Sequence, residues 1–147
     1  MPSRIYVLAP TGRDQKVILE TLTAGDILAE QLADVVHWDD IVQDPRAGGL
    51  LIADEALPSL DLPALVKALA AQPAWSDIPI AVLTRRGHML RSTELLMDLQ
   101  NVLLLERPLH SEALVKAGRA MLRSRWRQRA TRDYLLELED AKARIAS

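Results

Sequence analysis

The chain contains no cysteine. That absence excludes a disulfide framework, a thiolate metal site and a cysteine nucleophile. Phenylalanine is absent too, and aromatic residues make up 3% of the chain, so the core must be aliphatic. There is no excess of one charge sign: 18 Lys and Arg against 20 Asp and Glu leave a net charge of −2. Nothing global therefore attracts the chain to nucleic acid or to an anionic membrane. No apolar stretch approaches the roughly 18–20 residues of a membrane span. Met1-Pro2-Ser3-Arg4 runs directly into the short apolar stretch Ile5 to Ala9, which is no signal-peptide pattern. The expectation is a cytoplasmic protein with neither nucleic acid nor membrane as partner.

Several chemical signatures are missing as well. There is no Gly-x-Gly-x-x-Gly, no Gly-x-x-x-x-Gly-Lys and no Gly-x-Ser-x-Gly. His37, His88 and His110 are scattered over different segments, so no metal site is expected. Asp39-Asp40 reads as a solvated helix face rather than a cation site.

What is present is an alternation. With 147 residues, the chain has the length of one domain with a core of its own. The apolar runs Ile5–Ala9, Leu50–Ala53, Ile78–Leu83 and Val102–Leu105 read as strands buried on both faces. A more polar strand, fit for a sheet edge, is expected within Ile27–Gln31. Helical spacing appears in Arg13–Leu22 (Val17, Ile18, Leu22), Ala33–Val42, Leu62–Ala71 (Leu65, Val66, Leu69) and His88–Leu99. A last helix is expected to begin at Ser111 as N-cap, with Glu112 in its first turn. The βαβαβαβαβα order demands parallel strands with right-handed crossovers, hence an α/β, five-stranded, doubly wound sheet.

The last helix has no evident stop. No Gly or Pro occurs from Arg119 to Ser147, and Leu122 to Ile145 alone spans about 36 Å of helix. Tyr134, Leu138, Ala141 and Ile145 recur at spacings of four, three and four, the seam of a two-heptad coiled coil broadened by Leu135. A parallel homodimer through this seam is expected, against a helix that folds back or frays. Arg123, Arg125, Arg127, Arg129 and Arg132 read as its solvated flank rather than a nucleic-acid patch. Trp38, Trp75 and Trp126 read as packing residues. The division is 1–122 for the globular domain and 123–147 for the helical extension.

In a doubly wound sheet, ligands bind beyond the carboxyl ends of the strands. Those ends carry Ala9-Pro10-Thr11, Asp54-Glu55-Ala56-Leu57-Pro58, Thr84 and Arg107-Pro108. From Arg4 to Arg123 this set resembles the receiver domain of two-component signalling. In that family the third strand ends in a phosphoacceptor Asp with Pro four residues later, as Asp54 and Pro58 do here. The fourth ends in Ser or Thr, matched by Thr84. The fifth ends in Lys-Pro, matched by Arg107-Pro108 with Arg for Lys. The resemblance implies a flavodoxin-like sheet of order 2-1-3-4-5.

One departure changes the implied function. The family's first strand ends in an acidic pair that helps hold Mg²⁺, and here Ala9 and Pro10 stand in those places. Mg²⁺ prefers octahedral oxygen ligands, and Ala and Pro supply no side-chain oxygen. Asp14 lies too far along the first helix to substitute, and Glu55 is expected on the wrong side of its loop. Arg107 is expected to pair with Asp54. The Ala-Pro-Thr-Gly-Arg-Asp opening, Trp75-Ser76-Asp77 and the Arg-rich exit resemble atypical receiver-like domains N-terminal to sensor histidine kinases, often ahead of PAS domains.

The expectation is a non-catalytic regulatory module without a cofactor. It would partner itself, adjoining PAS or kinase domains, or a signalling protein. Two rivals stay open: a phosphorylatable receiver that takes a phosphoryl group on Asp54 with Mg²⁺, and a small-ligand domain using the strand-end cleft.

Overall fold

In the computed structural model, residues 3–10, 12–32, 37–85, 94, 96–98 and 101–146 are described. The strands are β1 (Arg4–Leu8), β2 (Ala29–Gln31), β3 (Ala47–Ala53), β4 (Ile80–Arg85) and β5 (Val102–Arg107). They form one parallel sheet in the order β2-β1-β3-β4-β5, as expected. The helices are α1 (Arg13–Ala24), α2 (Trp38–Gln43), α3 (Leu62–Ala70) and a 36-residue C-terminal helix (Ser111–Ala146). The expected helix over His88–Leu99 lies largely outside the described residues, as do Thr11 and the first four residues of the expected Ala33–Val42 helix.

Alternation along the strands sorts the core into two layers. Tyr6, Leu8, Leu50, Ile52 and Val82 pack with α2 and α3 through Trp38, Val42 and Leu65. Ile5, Val7, Leu51, Ala53 and Leu83 pack on the other face with α1 and the C-terminal helix through Ile18, Leu22, Leu114 and Met121. Every residue of β3 is buried, as a central parallel strand requires.

Four local expectations need correction. Val17 and Val66 are exposed, because each sits one residue off a narrow buried stripe. Strand β5 lies at the sheet edge, and Leu103 is 46% exposed rather than covered on both faces. Ser111 is the first residue inside its helix; the Leu114 N–H bonds to the His110 carbonyl, which makes His110 the N-cap. Strand β3 starts at Ala47, so Gly48-Gly49 lies within it rather than before it. A Cβ at Gly49 would stand 2.6 Å from Met121 Cε, so the glycines form a floor onto which the C-terminal helix settles.

The N-terminal ends of the strands are joined by a polar clasp. The Tyr6 hydroxyl donates to Asp44 Oδ2 at 2.6 Å, and the Arg46 backbone N–H and guanidinium donate to the same carboxylate. Burial and then the Asp44 hydrogen bond push Tyr6 up to about 12. Burial pushes Asp44 up, but the Tyr6 and Arg46 hydrogen bonds outweigh it and bring the carboxyl down to about 2. A depressed carboxyl stabilises the fold above its unfolded value near 3.8 and loses that contribution as pH falls toward 2. The raised phenol acts at the other end: its contribution is complete below pH 10 and fades as pH climbs toward 12. Tyr6→Phe is expected to cost about 1–2 kcal/mol at pH 7 and markedly less near pH 2–3, read from urea midpoints at both pH values. An equal cost at both would show that the hydroxyl does not act through the carboxylate.

Candidate functional site

Asp54 closes β3 and opens a 3-10 turn, Asp54–Ser59, that contains Pro58. Its side chain is 3% exposed. Thr84, near the end of β4, donates its hydroxyl to Asp54 Oδ2 at 2.7 Å. The adjacency follows from the parallel register, which sets Ala53 beside Leu83. These two sequence-selected residues are therefore brought into direct contact.

Arg107 behaves differently from the expectation. Its guanidinium grips Glu55 in a two-pronged ion pair, Nη1 to Oε1 and Nη2 to Oε2, the latter at 3.0 Å. It does not pair with Asp54. Glu55 accordingly faces the site rather than away from it. Burial raises the Glu55 carboxyl, but the Arg107 hydrogen bonds, a backbone amide, the Arg107 charge and a contact with Asp54 together hold it below the usual range. The Glu55 hydrogen bond is the largest influence on Arg107 and raises it. Charge–charge attraction from Asp14 and Asp54 also reaches this guanidinium. Asp14 is thus electrostatically part of the corner. What hid the Arg107–Glu55 pair in the sequence is the 3-10 turn, which swings Glu55 round beside Asp54.

Ala9 is buried among the apolar side chains between the sheet and α1, and Pro10 is exposed. The Ala9 carbonyl accepts from Gln31 Nε2 at 3.0 Å. The corner does not fit Mg²⁺: one Asp54 oxygen is occupied by Thr84, both Glu55 oxygens are held by Arg107, and Ala9 and Pro10 offer no carboxylate. Among the described residues, no three His, Cys, Asp or Glu side chains gather at metal-binding distance. Pro108 and Arg107 line an open cleft of about 470 Å³ with Asp14, Val17, Leu83 and Leu114.

The helical extension holds the residue that sequence reasoning missed. Arg125 is 2% exposed, although it was expected on a solvated flank. Its Nε donates to the Ala47 carbonyl at 3.1 Å, and its Nη1 donates to Ser76 Oγ at 2.7 Å and Gln128 Oε1 at 2.8 Å. Arg129 Nη2 donates to the same Ala47 carbonyl at 2.9 Å. Gln128 bonds both the N–H and the carbonyl of Asp77. The helix therefore stays bonded to the sheet domain beyond residue 122. The signal was legible: Leu114, Gly118, Met121 and Arg125, all buried, recur at spacings of four, three and four.

Trp38 is a core residue, as expected. Trp75 lies under two guanidiniums, those of Arg125 and Arg132, at 5.6 and 5.3 Å from its ring centre. Trp126 is 71% exposed, so the packing expectation fails there. Tyr134, Leu138 and Ile145 are exposed and Ala141 is partly so. Among the described residues, no helix is long and apolar enough to cross a membrane.

No protein-family model matches the sequence, and no curated protein matches it. Solved structures do. A response regulator receiver domain protein of Bacillus halodurans superposes with a TM-score of 0.56 at 15% identity, over 82% of this chain and 97% of that one. A lysine decarboxylase of Francisella novicida superposes with a TM-score of 0.58 at 13% identity, over 86% of this chain but 17% of that one. One arrangement of elements thus occurs in a signalling domain and in part of an enzyme, and fold alone does not choose between them. What these likenesses establish is the architecture: this chain has the flavodoxin-like fold of receiver domains, extended by a long C-terminal helix.

Proposed function

We propose that this chain is a non-catalytic, receiver-like regulatory module of a two-component signalling protein, the N-terminal part of a cytoplasmic sensor histidine kinase. The observation that carries the reading is the state of the Asp54 corner. The carboxylate is buried on Thr84, the neighbouring acid is locked by Arg107, and the places of the metal-binding acids are Ala9 and Pro10. Phosphoryl transfer relies on charge neutralisation by metal and fixed cations, which this donor set does not assemble.

The rival is a working phosphoacceptor. Incubation with acetyl phosphate and Mg²⁺, followed by intact-mass measurement, is expected to show no phosphoryl adduct. An adduct abolished by Asp54→Asn would establish the rival instead.

Output would run through the C-terminal helix. At about 100° per residue, Tyr134, Leu138, Ala141 and Ile145 lie about half a turn round from the stripe of Leu114, Gly118, Met121 and Arg125. The seam therefore faces away from the docked side and is open to a second copy while the helix stays docked. Sedimentation of the intact chain at micromolar concentration is expected to give a dimer, and the Leu138→Asp, Ile145→Asp double variant a monomer. Equal masses would remove the dimeric seam. Substitution is preferred to truncation near Arg123, which would also remove the Arg125 contacts.

A further inference from the structure

At the end of the sheet opposite Asp54, a cavity of about 180 Å³ opens between α2, the turn after α3 and the C-terminal helix. Arg125, Arg129 and Arg132 all line it, with Trp75 and Ser76. Buried charge is costly unless it is paired. Yet no carboxylate forms a salt bridge with Arg125 or Arg129 among the described residues. Arg125 gives its Nε and Nη1 protons to neutral oxygens, and its Nη2 makes no hydrogen bond among those residues. Burial first, then repulsion from Arg129 and more weakly from Arg132, brings the Arg125 guanidinium down to about 10.

The carboxylates nearby do not discharge this cluster. Asp44 lines the cavity, but its oxygens are taken by Tyr6 and Arg46, and it contributes only longer-range attraction to Arg129. Asp39 lines it from the exposed first turn of α2, and Asp77 contributes only longer-range attraction to Arg125. Arg132 reaches Asp133, an exposed neighbour on its own helix.

We propose that this cavity is a binding site for a small tetrahedral oxyanion of the phosphate class. Guanidinium groups present planar pairs of N–H donors matched to phosphate oxygens. Ser76 Oγ on the cavity wall accepts from Arg125 and gives its one proton to Gln72 Oε1, so the donors left for an anion are guanidinium N–H groups. The cavity of about 180 Å³ has ample room for a phosphate. The site is independent of the Asp54 corner and of the regulatory reading above. It joins α2, the loop carrying Trp75 and the C-terminal helix, so an occupant would bridge the helix to the domain.

The test is titration calorimetry of the full chain at pH 7 and constant ionic strength, with inorganic phosphate in one arm, glycerol phosphate in another and chloride as the blank. One site per chain is expected for phosphate, weakened at least tenfold by Arg129→Gln and by Arg132→Gln. Arg13→Gln, which removes an exposed guanidinium on α1, should leave it unchanged. Glycerol phosphate binding equally well would identify a phosphoryl group carried on a larger molecule as the occupant, and binding of phosphate alone would identify the free anion. No phosphate binding, or equal weakening by Arg13→Gln, would overturn the site. Arg132→Gln keeps the test sound if a change nearer the helix contacts unfolds the domain.

Discussion

Arg125→Ala is expected to lower the unfolding free energy by about 2–4 kcal/mol, read as a shift of the urea midpoint at an unchanged slope. The substitution removes hydrogen bonds to Ala47, Ser76 and Gln128, strips a cation from the face of Trp75 and leaves a void under the helix. The Ala47 carbonyl keeps its bond from Arg129, which holds the cost below that of a fully orphaned acceptor. Arg125→Met separates packing from charge. It fills much of the volume and abolishes the burden of a desolvated cation, so its cost is expected to be about 1 kcal/mol or less. If alanine costs under about 0.5 kcal/mol, the helix is not held to the domain at this point.

The second large effect is expected at Thr84. Thr84→Val keeps the shape of the side chain but leaves Asp54 Oδ2 without its hydroxyl donor in a buried place. A loss of about 1–3 kcal/mol follows from the desolvation cost of an unpaired buried acceptor. In a double-mutant cycle with Asp54→Ala, the two losses should fall short of additivity, because either change alone removes the same bond. Strict additivity would mean that the 2.7 Å contact carries no coupling.

The sheet was legible because its strands announce themselves. Leu50–Ala53 and Ile80–Leu83 are apolar on both faces, and only a strand sandwiched between helices needs that. The strand reaches back beyond the apolar run through Gly48 and Gly49; a glycine looks like a break until the helix that needs its missing side chain is in place. At the candidate site, the Asp54–Thr84 neighbourhood could be anticipated from strand order. The Arg107–Glu55 pair could not, because it depends on how one 3-10 turn directs a side chain. Arg125 escaped for another reason. Arginine on a long polar helix normally reads as surface, and three-dimensional context turned one of five into a buried anchor.

The three tryptophans sit in three unlike surroundings, which makes the molecule its own optical instrument. Trp38 is enclosed in hydrocarbon, Trp75 lies beneath two cations beside a polar cavity, and Trp126 stands in water. Their emission should accordingly run from blue, through a cation-perturbed band, to red. Chains retaining one indole each would report separately on melting of the interior, filling of the cavity and encounters along the exposed rod.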